Sequence, residues 1–511
     1  MSQEKFIIAL EIGSSKAKIG VAGYHPDKDD RVTVYKIVSA PTVDSVRYGR
    51  INNIREVTET VKSLLKQIEG KKPIEGRDII GLFINIGGLS LKSVKIKADI
   101  VLPERREITE SMLQRLEADA ESQLATDDEL LCVEPIRFTV DDMQTPRPVG
   151  AMGSRLTGEY TAILCRPSNK NDIFEVVANR LKKDICGLSV RPTALAHSVL
   201  KPQETKSGCM LVDIGAETTT VAIFKNYGLQ YLATIPLGSR LITRDLSTVL
   251  SITEEEAEAL KLKSANAIPD KTESAGENPL QDNINAIVSA RLADIVANIA
   301  AQPEFAGVGN LAVPAGIILT GGGSSMPNFD CLLASQTRLK VRKAALPDKI
   351  EMKDADFDAD TDLALATLLY DAAIWAQADP NNNCVTDLQP ADDPEVLIDL
   401  TRREQSTKPE HKAKTEHHDT LGGTDFGAFE PRHNDYPRDN RPVDLDDDDT
   451  LLDDDDVPVP SRKNTKKQKE HNKNDDTKGD NPVKGMSRID KMINRLAGIL
   501  TGDSEDDSAD M

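Results

Sequence analysis

The chain has 511 residues, with 63 Lys and Arg against 84 Asp and Glu, for a formal net charge of −21. At about 100–200 residues per domain this length calls for at least two domains, and the acidic excess repels nucleic acid, so no nucleic-acid partner is expected. The six cysteines are scattered without a C-x-x-C pair, which argues against a disulfide framework or a zinc ribbon and fits reduced thiols.

Apolar runs at residues 6–12, 79–86, 161–165, 210–214, 219–224 and 316–320 read as strands. Helical periodicity appears at 57–68, 111–124, 172–181, 254–263, 284–300 and 363–376. Their alternation predicts an α/β architecture. The first run is too short, and wrongly flanked, for a signal peptide. No stretch is expected to reach the ~18 apolar residues of a spanning helix, so the chain reads as intracellular.

Two segments about two hundred residues apart share one order: Glu11-Ile12-Gly13-Ser14-Ser15-Lys16 and Asp213-Ile214-Gly215-Ala216-Glu217-Thr218. Each reads as a strand, an acid, an Ile-Gly turn, hydroxyl residues and a second strand. Each is therefore a β-hairpin with a carboxylate at its mouth. Gly13 and Gly215 allow backbone N–H groups to approach phosphate oxygens, and Ser14, Ser15 and Thr218 add hydroxyl donors. Glu11 and Asp213 are placed to hold hydrated Mg²⁺. Two such hairpins facing each other would clamp a triphosphate. A third element, Gly321-Gly322-Gly323, ends a strand and lets backbone lie against an adenine ring or ribose. No Gly-Lys-Ser/Thr follows, so this is not a Walker A loop.

Residues 381–483 are rich in Asp, Lys, Asn, Pro and His; nine of the thirteen from Asp444 to Asp456 are Asp, and a basic run follows at 462–473. Such a segment is expected to be a disordered linker, with a reach of about 50–60 Å as a flexible coil. Residues 484–500 are periodic again. Met486, Ile489, Met492, Ile493, Leu496, Ile499 and Leu500 fall within an arc of roughly 140°. Lys484, Arg488, Lys491 and Arg495 lie beside it. A short cationic amphipathic helix on a tether suits an anionic phospholipid surface, with about 1 kcal/mol from each cation.

The ordered triplet of two hairpins and a glycine strand resembles the actin, Hsp70 and sugar-kinase ATPase superfamily. Within it the chain is similar to the FtsA family of bacterial cell division proteins, over about residues 5–376 plus the C-terminal helix. Residues 85–166, with Val149-Gly150-Ala151-Met152-Gly153 and a strand at 160–165, fill the slot where that family carries an extra subdomain, 1C. Residues 187–190 and 194–200 resemble its connecting segment. Ala257-Glu258-Ala259-Leu260-Lys261 resembles its helix beside the nucleoside, which implies that Glu258 and Lys261 meet the ribose and adenine. The chain departs from the superfamily pattern at Glu11, where many members have Asp. It departs again at Ala216 and Glu217, which replace two glycines, so that side chains would crowd the phosphates and Glu217 would add negative charge there. No Gln or Asp in 192–200 is placed to orient an attacking water, which implies nucleotide binding with weak or no hydrolysis.

The resemblance implies an actin-like fold of two lobes built on duplicated ribonuclease H-like domains. Residues 5–84 and 167–204 would form subdomain 1A, and 85–166 subdomain 1C. Residues 205–245 and 312–380 would form 2A, and 246–311 subdomain 2B, with the linker at 381–483 and the membrane helix at 484–500. It further implies an ATP- and Mg²⁺-binding protein that polymerises on the cytoplasmic membrane at the septum. Such a protein would anchor FtsZ filaments through the FtsZ C-terminal tail and recruit later division proteins. A sugar or acetate kinase of the same superfamily, or a pilus-assembly actin homologue, is the alternative. An Hsp70 chaperone is disfavoured, since no β-rich peptide-binding domain follows residue 380.

Overall fold

A computed structural model of the chain describes residues 4–26, 31–268, 279–309, 312–378 and 383–388. The first half opens with β1 (Lys5–Ile12), β2 (Lys16–Tyr24), β3 (Val32–Pro41), a small hairpin of β4 (Val46–Arg47) and β5 (Arg50–Ile51), α1 (Ile54–Ile68), β6 (Arg77–Ile79) and β7 (Gly81–Ile86). Asn53 starts α1 by accepting a hydrogen bond from the Glu56 N–H, and Val57, Val61, Leu64, Leu65 and Ile68 make its buried face. An insertion follows, with β8 (Lys92–Glu107), α2 (Glu110–Glu121), β9 (Glu129–Val140), β10 (Met143–Thr145) and β11 (Met152–Cys165). It closes its own core around Leu113, Leu116, Phe138, Leu156 and Tyr160. The chain then runs through α3 (Pro167–Phe174), a π-helical turn (Glu175–Arg180), β12 (Asp184–Val190), α4 (Arg191–Val199) and α5 (Pro202–Ser207).

The second half comprises β13 (Cys209–Ile214), β14 (Thr219–Lys225), β15 (Gly228–Ile235), α6 (Arg240–Leu250), α7 (Glu254–Ser264), α8 (Pro279–Phe305), β16 (Ile317–Thr320), α9 (Phe329–Thr337) and β17 (Val341–Lys343). It is followed by β18 (Ile350–Met352), α10 (Ala359–Ala378) and β19 (Val385–Asp387).

The two halves repeat one sheet. In the first the order is β12-β7-β1-β2-β3-β18, and in the second β15-β14-β13-β16-β17 runs through the same pattern. In each, a three-stranded antiparallel meander is extended by two parallel strands beside its first member. Parallel neighbours need crossovers, which the intervening helices supply. The strands flanked on both sides read as continuous apolar runs for this reason: every residue of β13 is buried. The insertion's sheet joins the second half's at one pairing, Ala233 with Lys92. The fold is the expected actin-like α/β duplication.

Several expectations shift. The run at 79–86 is two strands, β6 and β7, either side of Ile80. The helix expected at 172–181 begins earlier and ends in the π-helical turn. Residues 350–378, expected in subdomain 2A, return to the first sheet: β18 pairs with β3, and Leu363, Leu365, Leu368, Leu369 and Ala373 of α10 are buried in the first core. The expected linker start at 381 is also too early, because β19 pairs with β6 and Cys384 is fully buried. An edge strand such as β6 presents unpaired backbone that another strand can pair with, and composition does not reveal which segment will do so. The rest of the linker and all of the terminal helix, from Met486 to Leu500, lie outside the described residues. All six cysteines are free.

Contrary to the expectation of no such stretch, residues 280–305 of α8 are long and apolar enough by composition to cross a membrane. Their apolar ridge, Ile284, Val288, Leu292, Ile295 and Ile299, is instead buried in the second core, and Arg291, beside that ridge, pairs with Asp245 at 2.7 Å. The helix reads as a core helix of the second half.

Two carboxylates, one buried and one half-buried, clamp distant segments. Asp354 accepts from the Ile37 N–H at 2.7 Å and Lys36 Nζ at 3.0 Å, and Glu204 takes Arg342 through two contacts of 2.7 Å. Burial pushes both carboxyls up, but these donors outweigh it and hold both below their ordinary values. A carboxyl with a depressed folded pKa stabilises above its unfolded value and loses that contribution as pH falls through the folded one. Stability in urea is therefore expected to drop as pH falls below about 4. The Asp354→Asn/Glu204→Gln variant should show a shallower acid slope; equal slopes would refute the assignment.

Candidate functional site

Both predicted hairpins are present, with Glu11 opposite Lys18 in one and Asp213 opposite Thr220 in the other. Their turns close identically. The Gly13 N–H donates to Lys16 O at 3.0 Å, and the Gly215 N–H to Thr218 O at 2.8 Å. Spending the glycine N–H groups inside the turns leaves the next ones without an acceptor in the turn. Among the described residues, the N–H groups of Ser14, Ser15, Ala216 and Glu217 donate to no backbone or side-chain acceptor. Successive unspent N–H groups at a tight turn form an anion-binding concavity, so both turns suit phosphate oxygens.

The hairpins meet through Arg191, the first residue of α4. Its Nε donates to Asp213 Oδ2 at 2.7 Å, its Nη2 reaches Asp213 Oδ1 at 3.3 Å, and its Nη1 donates to Glu11 Oε1. Both acids are almost fully buried, Glu11 at 4 % and Asp213 at 6 % exposure. Burial works against the guanidinium charge, but Asp213 and Glu11 outweigh it and raise the arginine's pKa, so the cation is permanent. This corrects the expectation that Glu11 and Asp213 seat Mg²⁺. Both Asp213 oxygens and one Glu11 oxygen are spent on Arg191, and only Glu11 Oε2 is without a partner among the described residues. Mg²⁺ needs oxygen ligands free to complete an octahedron. The donor set present does not fit it.

Glu217 also departs from expectation. Its side chain is 1 % exposed and faces three arginines: Arg47 at 2.9 Å, Arg244 at 3.0 Å and Arg240 at 3.6 Å. It also accepts from the Tyr48 N–H at 2.6 Å. Its charge is neutralised inside the protein. The β4–β5 turn that supplies Tyr48 touches the other hairpin as well, since the Gly49 N–H donates to Ser14 Oγ at 3.0 Å. Gly49, at φ +77°, packs so closely on Gly88 that a Cβ there would stand 2.4 Å from the Gly88 Cα.

The glycine strand end lies against the second hairpin. A Cβ on Gly321 would be 2.4 Å from Asp213 Oδ1, and one on Gly323 would be 2.5 Å from Ile214 Cγ2. Gly322 would meet only Thr361 Cγ2, at 3.5 Å. The outer two glycines are thus demanded by packing, and Gly322 alone is open. On α7, Lys261 is buried and binds Glu258 at 2.7 Å, Thr243 Oγ1 at 3.0 Å and Ser239 O at 3.3 Å. Burial pulls the Lys261 pKa down against the pull of Glu258. The two residues expected near a nucleoside therefore form one unit joining α7 to α6. Ser15 and Lys16 are exposed at the first turn. Two shallow grooves, about 440 and 550 Å³, border α1; neither includes a residue of the hairpin turns.

Residue patterns alone missed Arg191, Arg47, Tyr48, Gly49, Arg240 and Arg244. One signal for Arg191 was present: it follows a strand parallel to β7 and β1, and ligands of α/β sheets gather beyond the carboxyl ends of parallel strands.

A family model described as cell division protein FtsA matches residues 210–358, and one described as the SHS2 domain inserted in FTSA matches residues 88–164. The cell division protein FtsA of Porphyromonas gingivalis is 29 % identical over 343 residues, covering 65 % of this chain and 70 % of that one. Its counterpart in Borreliella burgdorferi is 26 % identical over 381 residues, 71 % of this chain and 90 % of that one. Among solved structures, a chain of the PilM-PilN type IV pilus biogenesis complex superposes with a TM-score of 0.52 at 16 % identity, covering 72 % of this chain and 98 % of its own. That likeness is one of fold. With the duplicated sheet, the inserted antiparallel unit and these matches, the chain is similar to the FtsA family of cell division proteins over residues 88–164 and 210–358.

Proposed function

We propose that the chain is an ATP-binding scaffold that assembles into filaments on the cytoplasmic face of the cell membrane at the division septum. There it holds the FtsZ C-terminal tail and later division proteins. One observation carries the reading: two pairs of N–H groups without an acceptor, at Ser14–Ser15 and Ala216–Glu217, sit on hairpins whose acids share one arginine. Phosphates bridging both cradles would favour a closed arrangement of the two halves, so the nucleotide acts as a conformational ligand. Gly322 leaves backbone open beside the second hairpin, and Glu258 and Lys261 are the proposed ribose and adenine contacts. Residues 85–166 are the proposed 1C subdomain, and residues 484–500 the proposed lipid-binding helix.

Vesicle pelleting with electron microscopy tests this. The full chain should sediment with anionic vesicles and form filaments on them more readily with ATP. Ile493→Glu/Leu496→Glu places two charges in the apolar arc and should leave the protein in the supernatant. Undiminished sedimentation of that variant would remove the membrane reading, and indifference to ATP would remove the nucleotide reading.

A further inference from the structure

The space between Glu11 and Asp213 is the place where two strand-end carboxylates would grip a hydrated dication, and here it is filled from within the chain. Arg191 is held there by geometry on both sides. Its backbone is fixed as the first helical residue after β12, followed at once by Pro192, whose ring fixes φ at the helix start. Its guanidinium fork meets both Asp213 oxygens, at 2.7 and 3.3 Å, and Glu11 with its remaining arm. Two buried carboxylates and one partly exposed guanidinium leave a single net negative charge. A dication added beside the arginine would find one free acceptor, Glu11 Oε2, and would be repelled at short range by the fixed cation.

We propose that Arg191 is the resident cation of this site, and that the chain binds its nucleotide without a divalent metal. The second half rests on the nucleotide reading; the first does not. Phosphate charge would then be met by the N–H cradles and the fixed arginine. Arg191 acts here as a positioning residue, holding the two hairpins at one separation.

The test has two arms on the full-length protein. In the first, Mn²⁺ replaces Mg²⁺ as a spin-active probe with no nucleotide present, and free Mn²⁺ is read by electron paramagnetic resonance. The acidic run at 444–456 contributes the same background to every variant. Wild type and Asp213→Asn should bind alike, while Arg191→Gln should gain one Mn²⁺ site that Arg191→Gln/Asp213→Asn lacks. A wild-type site lost on Asp213→Asn, or no gain in Arg191→Gln, overturns the proposal. The second arm needs no variant to fold: wild-type affinity for a fluorescent ATP analogue should change less than about twofold between EDTA and Mg²⁺. A loss of about tenfold or more in EDTA overturns the metal-free claim. Absence of nucleotide binding in either buffer removes the nucleotide reading and the metal-free claim with it, while the first arm still decides what occupies the acid pair.

Discussion

Glu217→Ala is expected to destabilise the protein by about 3–5 kcal/mol, the usual cost of removing one partner from a buried ionic group. The carboxylate is 1 % exposed among Arg47, Arg240 and Arg244. Its removal leaves three cations facing one another and the Tyr48 N–H without its acceptor. Repulsion among the arginines and the lost hydrogen bond act in the same direction, and the remaining acids, Glu254 at 3.5 Å from Arg244 and Asp44 at 3.9 Å from Arg47, are about half and four-fifths exposed and offset little of it. Glu217→Gln should cost less, because the amide oxygen can still receive the Tyr48 N–H. The same logic predicts rescue. An anion that fits among three arginines should restore part of the stability lost in Glu217→Ala. Sulfate stabilises proteins generally by exclusion from their surfaces, so the measured quantity is the difference between variant and wild type. Urea midpoints in sodium chloride and sodium sulfate at matched ionic strength should shift upward by more in Glu217→Ala. A loss below about 1 kcal/mol, with equal sulfate responses, would show that Glu217 is a solvated acid rather than the centre of an arginine cluster.

The legible part of the molecule was its repeat. Acid, Ile-Gly and hydroxyl residues recur at Glu11 and Asp213, and strands flanked on both sides must be apolar along their whole length, so hairpins and core strands could be read from local pattern. What local pattern could not carry was the partner of each acid. Arg191 lies 180 residues from Glu11 in sequence, and Arg47 and Glu217 come from different halves. A carboxylate at a strand end looks the same whether its counter-ion is a metal or an arginine from elsewhere in the chain. The glycines after β16 show a second limit. A run of three suggests an approach to a flat ligand, yet two of the three are forced by contact with Asp213 and Ile214. The strand at 385–387 shows a third, because its reason for forming belongs to β6, some three hundred residues earlier.

Alanine substitution across residues 321–323 should separate packing from ligand contact. At Gly321 the backbone has φ +89°, where a side chain costs about 1–2 kcal/mol before any contact is considered. The added Cβ would also stand 2.4 Å from both Asp213 Oδ1 and Ile214 O. Neither neighbour can yield freely: one is backbone of β13, and the other is the carboxylate that Arg191 grips. Moving it would loosen the link between the hairpins, so a total loss of about 3–5 kcal/mol is expected, or failure to fold. Gly323→Ala meets the Ile214 Cγ2, on a β-branched side chain with little rotamer freedom, and should cost less but still clearly destabilise. Gly322→Ala has ordinary contact distance and should stay within about 0.5 kcal/mol of wild type. The informative measurement on that last variant is ATP affinity. If Gly322 is kept bare so that a base or ribose can lie on its backbone, affinity should fall by about tenfold while the urea midpoint stays fixed. Unchanged affinity would mean that the glycine run serves the β13–β16 junction alone, and the nucleoside would have to be sought along the Glu258 and Lys261 face of α7.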